Sequence, residues 1–323
     1  MLLVELDEHG QRLRFEVRGG AAGGVQSSMF VNCTQLKLPP AGSALPSAAA
    51  PLSVQSKYAL LLDAGGLAVP AEAIDEPGEL NLFISHTHAD HCSGLAAVIS
   101  ARALNGNRTR VLAPALGDVG GLRETLALSA RLNDPTGRIR YPFELIALSP
   151  DDGELQGPSG RVLLAFATRH RVPSHGCCVV QRRQKLQRRH LLDEGGRPLD
   201  ADKKAMGARI RHLRQSLPPE ELFDTDEVVE LVYTGDTTID WLECPRSARL
   251  ALKARVLITE ATFLCDAVTP DQATERGHVH IKQIAHHAKR FERVGHLVLT
   301  HFSRRYSRKQ IEVCVKKKSE GRG

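Results

Sequence analysis

The chain has 323 residues, 42% apolar and 25% charged, with a formal net charge of +6. That balance is too apolar for a chain disordered along its length and is enough for one large core. No apolar run approaches the roughly 20 residues that cross a bilayer, and the first residues lack a basic stretch leading into an apolar one, so the expectation is a cytosolic protein, with the nucleus also open to it.

Taken in chain order, residues 13–17 and 58–62 are short alternating or apolar runs bounded by glycine, the pattern of strands opening a sheet. Between them, residues 36–54 are rich in Pro, Ala and Ser and poor in large apolar side chains, which predicts an exposed insertion loop. Residues 80–84 read as a buried strand and 94–104 as a helix, so what lies between sits at a strand's carboxyl end. The runs 162–166, 228–233, 256–259 and 297–300 are also strand-like and lead into His170, Asp236, Glu260 and His301, with a helix predicted over 281–291. Five strands that each deliver polar residues at one end imply a layered α/β fold, one domain over residues 1–323, with a site along a sheet edge. The seven cysteines are odd in number and lack framework spacing, so reduced thiols are expected; Cys177 and Cys178 would face opposite sides of a strand.

Residues 181–227 form an inserted charged arm. Within it, residues 182–214 hold eleven Lys and Arg against four Asp and Glu, a local net of +7, and Glu220, Glu221, Asp224, Asp226, Glu227 and Glu230 follow. Two readings stand: the halves neutralise each other as a solvated arm, or Arg182, Arg183, Lys185, Arg188 and Arg189 meet a nucleic acid. The tail Lys316, Lys317 and Lys318 reads as a solvated terminus.

The run His86-Thr87-His88-Ala89-Asp90-His91 places three imidazoles and a carboxylate in six residues. Extended alternation puts His86 and His88 on one side, and the turn that follows brings Asp90 and His91 to a neighbouring position. Closing two metal sites needs ligands from distant strand ends, and His170, Asp236 and His301 each occupy one. The predicted set is His86, His88 and His170 on one ion, Asp90, His91 and His301 on the other, and Asp236 between them, leaving room for a shared water. Such nitrogen and oxygen donors suit two zinc ions and also accept manganese or iron(II).

This order of motifs, with Asp236 in Thr234-Gly235-Asp236-Thr237 and His301 in Leu299-Thr300-His301-Phe302-Ser303 followed by Arg305 and Tyr306, resembles the ribonuclease Z family of the metallo-β-lactamase superfamily, especially its short plant and algal forms. The segment from His170 to Gly176 resembles the family's third-histidine segment. Thr259-Glu260-Ala261-Thr262 resembles its HEAT motif with Thr for the first His, and Gly277-His278-Val279-His280 stands at its HST motif with Val279 and His280 replacing Ser and Thr. The resemblance implies an αββα sandwich, a homodimer, and a zinc-dependent endoribonuclease that removes 3′ trailers from precursor tRNA and leaves a 3′-hydroxyl. It further implies that Asp90 takes the attacking water's proton and that His278, oriented by Glu260, stabilises the phosphate or protonates the departing oxygen. The arm would grip the tRNA elbow, although the glycine-proline signature of bacterial arms is absent. His280 reads as a core or surface histidine. Two rivals remain: a hydrolase of the same superfamily acting on a small phosphodiester or thioester, and an inert RNA-binding scaffold, against which the complete ligand set argues.

Overall fold

The structure, a computed structural model, describes residues 1–8, 11–23, 26–37, 54–66, 69–136, 141–150, 153–157, 160–192 and 203–320. Most of the expected insertion loop, residues 38–53, and residues 193–202 of the expected arm lie outside the described residues.

Two sheets carry the fold. The first runs in the order β1 (Leu2–Glu8), β2 (Gln11–Gly23), β3 (Gln26–Lys37), β4 (Val54–Leu62), β5 (Glu79–Phe83), β6 (Arg108–Pro114) and β7 (Phe143–Leu148). Its pairings are antiparallel up to β4 and parallel from β4 to β7. The second contains β8 (Glu154–Gln156), β9 (Arg161–Thr168), β10 (Ser174–Leu186), β11 (Phe223–Tyr233), β12 (Val256–Glu260) and β13 (His296–Thr300), with β11, β12 and β13 parallel. The short β14 (Phe302–Ser303) then crosses to pair with β2, tying the end of one sheet to the other.

Strand alternation builds the layers. Leu13, Phe15 and Val17 of β2, Leu60 and Leu62 of β4, Ala165 of β9 and Leu231 of β11 meet between the sheets. On the outer face of the first sheet, Leu95, Val98 and Ile99 of the helix Leu95–Leu104 and Leu122 and Leu126 of the helix Val119–Asn133 cover Leu80, Leu82 and Val111. On the outer face of the second, Leu250 of the helix Pro245–Ala251 and Ile281 and Ile284 of the helix Ile281–His286 cover Leu164, Phe166 and Leu257. The result is the expected α/β architecture, an αββα sandwich. Cys177 faces the inter-sheet core and Cys178 the helical side, and all seven cysteines are free.

Three local outcomes differ from the periodicity. The strand predicted at 13–17 is part of a 13-residue strand, because β3 pairs with it in unbroken register from Gln11 to Ala22 and β1 from Gln11 to Val17. The helix predicted over 281–291 ends at His286 and tightens into a 3-10 turn, Ala288–Arg293. That turn buries Phe291 against Trp241 and delivers Gly295 and His296 to the carbonyls of Ala254 and Arg255, which a continuous helix would overshoot. Within Leu95–Leu104, Arg102 is wholly buried; its guanidinium donates to the carbonyls of Ala73, Glu76, Gly78 and Arg108 and its Nε to Thr109, so it acts as a polar rivet beneath the loop 76–78.

In the expected arm, β10 and β11 form an antiparallel ribbon whose register sets Arg182 opposite Glu227, Arg183 opposite Asp226 and Lys185 opposite Asp224. Arg182 also reaches Glu154, at 2.7 Å. Glu230 departs from the acidic group: it is 1% exposed and pairs inside the core with Arg161, Nε to Oε2 2.7 Å. The basic helix Lys203–Ser216 lies between β10 and β11 in the chain, with Arg209 and Arg211 exposed. Among the described residues, no helix is long and apolar enough to cross a membrane.

Candidate metal centre

The first sheet delivers His86 just beyond β5, and the short helix Ala89–Cys92 follows at once, so His88 caps its start while Asp90 and His91 lie on its turn. His170 follows β9, Asp236 follows β11, Glu260 closes β12, and His301 directly follows β13. All converge on one end of the sandwich. The nitrogens of His86, His88 and His170 lie within 4.8 Å of one another, as do the ligating atoms of Asp90, His91 and His301, and those of His86, His91 and Asp236. His86 Nε2 and His88 Nδ1 are 3.0 Å apart, and His170 Nε2 is 3.3 Å from His88 Nδ1. Asp236 Oδ2 lies 3.1 Å from His301 Nε2, 3.3 Å from His91 Nε2 and 4.0 Å from His86 Nε2.

The donor set fits divalent cations. His91 Nε2 and His301 Nε2 are buried and, although within ion-pair distance of Asp236, make no hydrogen bond of acceptable angle. Two buried nitrogens aimed at one carboxylate oxygen without bonding it are what a shared cation would satisfy. Burial, reinforced by His91, lowers the pKa of His86, and burial likewise lowers those of His88 and His170, so these rings are neutral and ready to donate. Burial also opposes charge on His91, but Asp236 and Asp63 outweigh it and raise its pKa. Burial would favour the neutral acid of Asp236; the imidazoles of His301 and His91 reverse this and hold its pKa well below the usual carboxylate range.

The outward nitrogens of four rings are anchored. His86 Nδ1 meets Ser85 Oγ at 3.0 Å, His91 Nδ1 meets Asp63 Oδ2 at 2.8 Å, His170 Nδ1 meets the Gly277 carbonyl at 2.7 Å and His301 Nδ1 meets Thr262 Oγ1 at 2.9 Å. Such partners fix ring orientation and tautomer. Asp63, Ser85, Thr262 and Tyr233 are absent from the set expected from sequence. Asp63 was nevertheless signalled in the same way as the others, a polar residue ending the apolar run 58–62. Asp63 and His301 are the described non-glycine residues with positive φ, both 58°, a cost tolerated where surrounding contacts fix the backbone.

Gly65 allows the metal loop to close. A Cβ there would lie 1.5 Å from the Asp90 carbonyl oxygen, and that neighbour is backbone, which cannot swing aside. Gly65→Ala is therefore expected to lower stability by about 1–3 kcal/mol, and to reduce metal uptake as the Asp90–His91 turn is displaced. Denaturant unfolding and elemental analysis of the purified variant would check this; an unchanged midpoint and metal content would refute it.

Beside the histidines, Glu260 Oε1 accepts from His278 Nδ1 at 3.0 Å and from the Thr237 amide at 2.7 Å, while its Oε2 accepts from Thr262 Oγ1 and the Val279 amide. His278 stacks on His301, ring centroids 5.4 Å apart. Burial opposes charge on His278, and Glu260 prevails, raising its pKa. His280 is buried and caps the helix Ile281–His286 by accepting from the Lys282 amide, as expected of a structural histidine. A cleft of about 280 Å³ opens over His88, Asp90, Asp236, His278 and His301, and Arg171, Arg276 and Arg305 line it too. None of Arg182, Arg183, Lys185, Arg188 and Arg189 lines this cleft. Arg182 and Arg183 lie in β10, Lys185, Arg188 and Arg189 are exposed, and Arg189 donates to the Glu221 carbonyl.

No protein-family model matches the chain. In sequence it is 34% identical to the chloroplastic tRNase Z TRZ2 of Arabidopsis thaliana over 73% of its own length, and the chain spans 61% of that relative. It is 32% identical to tRNase Z TRZ1 of the same plant over 72% of its length and 76% of that protein. Ribonuclease Z of Archaeoglobus fulgidus is 31% identical over 71% of each chain. In structure, the short form of human tRNase Z superposes with a TM-score of 0.50 at 20% identity, covering 89% of this chain and 92% of that one. The metallo-β-lactamase fold protein YhfI of Bacillus subtilis gives 0.52 at 16% identity, covering 92% and 89%.

Proposed function

Because the chain belongs to the tRNase Z, or ribonuclease Z, family and has the metallo-β-lactamase fold, we propose that it is an endoribonuclease that removes 3′ trailers from precursor tRNA and leaves a 3′-hydroxyl on the tRNA body. The observation that carries the reading is the His278–Glu260 pair opening onto the same arginine-lined cleft as the His86 to His301 cluster. A small neutral substrate needs neither the pair nor the arginines.

In this reading His86, His88 and His170 would hold one zinc ion, and Asp90, His91 and His301 a second, with Asp236 available to both. When bound, two divalent cations would lower the pKa of water towards neutrality and offset the phosphate's charge. Asp90 receives the attacking water's proton. Glu260, with both oxygens occupied by donors, holds His278 Nδ1 so that the ring's other nitrogen protonates the departing 3′ oxygen. His278→Ala is expected to reduce kcat by about 10²-fold or more while zinc content stays unchanged, since a positioned acid contributes about 10²–10⁴. A variant with unaltered kcat would remove His278 from the chemistry.

The charged arm supplies substrate contacts, but with a narrower set than the sequence suggested. Arg182 is tied to Glu154 and Glu227, so the phosphate contacts fall to the exposed Lys185, Arg188 and Arg189 and to Arg209 and Arg211 of the basic helix. Removing Arg209 and Arg211 together is expected to raise KM for precursor tRNA and to flatten its dependence on salt by about one unit of log–log slope per lost contact. Hydrolysis of a small phosphodiester would be unchanged. Equal losses on both substrates would refute the assignment.

The deciding experiment is incubation of zinc-loaded protein with a precursor tRNA bearing a 3′ trailer, with and without prior chelation, and mapping of the cut. Cleavage after the discriminator base, abolished by chelation, is expected. A zinc-loaded protein that splits a small phosphodiester but leaves the precursor intact would sink the RNA substrate and keep the centre.

A further inference from the structure

We infer that the two halves of the centre hold their cations unequally: the Asp90, His91 and His301 half retains its ion, and the His86, His88 and His170 half exchanges first. This rests on the metal-centre reading above. The difference lies behind the imidazoles. His91 Nδ1 is backed by the carboxylate of Asp63, which is itself fully buried and accepts from Tyr233 Oη at 2.6 Å, from the Ser85 amide at 2.7 Å and from Ser85 Oγ at 3.0 Å. His301 Nδ1 donates to Thr262 Oγ1, which passes its own proton bond to Glu260, a carboxylate fixed by the amides of Thr237 and Val279. Both rings of this half thus end on a buried anion, directly or through one hydroxyl, and their third ligand, Asp90, is another anion.

The other half is backed less strongly. His86 Nδ1 reaches the Asp63 carboxylate only through the hydroxyl of Ser85, and His170 Nδ1 meets the neutral Gly277 carbonyl, so neither ring of this half is backed directly by a carboxylate as His91 is. Its three ligands are neutral imidazoles. Asp236, common to both halves, sides with the first: its Oδ2 is 3.1 and 3.3 Å from His301 and His91 but 4.0 Å from His86. A carboxylate behind an imidazole fixes its tautomer and makes the facing nitrogen a better donor, and more anions around one ion deepen its Coulomb well. Tyr233 and Thr262 are therefore positioning residues. Neither is a ligand, and each holds a carboxylate or a ring of the retaining half in place.

Competitive zinc titration against a chromophoric chelator, with elemental analysis after dialysis, tests this. Wild-type protein is expected to bind two equivalents that differ at least tenfold in affinity. His88→Ala should keep the tight equivalent and His301→Ala should lose it. Tyr233→Phe should weaken the tight equivalent by about 10- to 100-fold, the usual cost of losing an outer partner, and the weaker one, which reaches Asp63 only through Ser85, by clearly less. Thr262→Val should act in the same direction and Thr262→Ser restore binding. Two equal affinities, or a tight ion that survives His301→Ala and is lost in His88→Ala, would overturn the inequality while sparing the centre. Failure of the wild type to bind any zinc would instead overturn the centre itself.

Discussion

Asp236→Ala is expected to give a folded protein that no longer retains two equivalents of zinc and whose kcat/KM on precursor tRNA falls by about 10³-fold or more, within the range lost when metal-assisted acid–base chemistry is disabled. The carboxylate is 3% exposed and faces His301, His91 and His86. Without it, three imidazole nitrogens confront one another in a buried space with no anion between them. Any cation there must then be held by rings alone on the His86 side, and by Asp90 with two rings on the other. Asp236→Asn separates shape from charge: it fills the space but removes the anion, and should lose nearly as much activity. Elemental analysis and single-turnover cleavage would decide. Full metal retention and activity in either variant would remove Asp236 from the centre.

The largest effect on stability is expected far from the centre, at Glu230→Ala. Arg161 and Glu230 are 0% and 1% exposed, joined by Nε to Oε2 at 2.7 Å and Nη2 to Oε1 at 3.2 Å across β9 and β11. Burying such a pair gains little over well-packed apolar residues, because desolvation offsets much of the attraction. Breaking it differs, since the guanidinium is left charged and buried, and the expected loss is about 3–5 kcal/mol. The double variant Arg161→Met, Glu230→Leu should recover most of that loss in urea unfolding. If the single and double variants were equally unstable, packing volume rather than the uncompensated charge would be the cause.

The same Glu230 shows where linear sequence misleads. In sequence it closes an acidic cluster beside a basic run, and its identity as half of a core ion pair depends on Arg161, 69 positions away. The arm behaves similarly. Its charge excess was legible, but which cations are neutralised depends on a strand register that puts Arg182 beside Glu227 and Glu154.

The seven expected ligands are brought together at one end of the sandwich because they follow the carboxyl ends of four strands, His86, His88, Asp90 and His91 in the loop and short helix after β5 and the other three beyond β9, β11 and β13, and a strand's period of two and its polar terminus are local properties that a sequence displays. The layered α/β fold was legible for the same reason: apolar runs of strand length alternating with helical periodicity leave few ways to bury both faces of a sheet. Tertiary structure alone decided what stands behind the ligands. Asp63, Tyr233, Ser85 and Thr262 come from four separate places in the chain, and the hydrogen bonds among them and the histidines depend on how two sheets meet. It also decided that Gly65 lies against the Asp90 carbonyl, that Arg102 is a core residue, and that the helix at 281 ends at His286. Periodicity reports which face of an element is apolar. Which atoms from remote elements touch is fixed only when the core closes and every buried donor must find an acceptor.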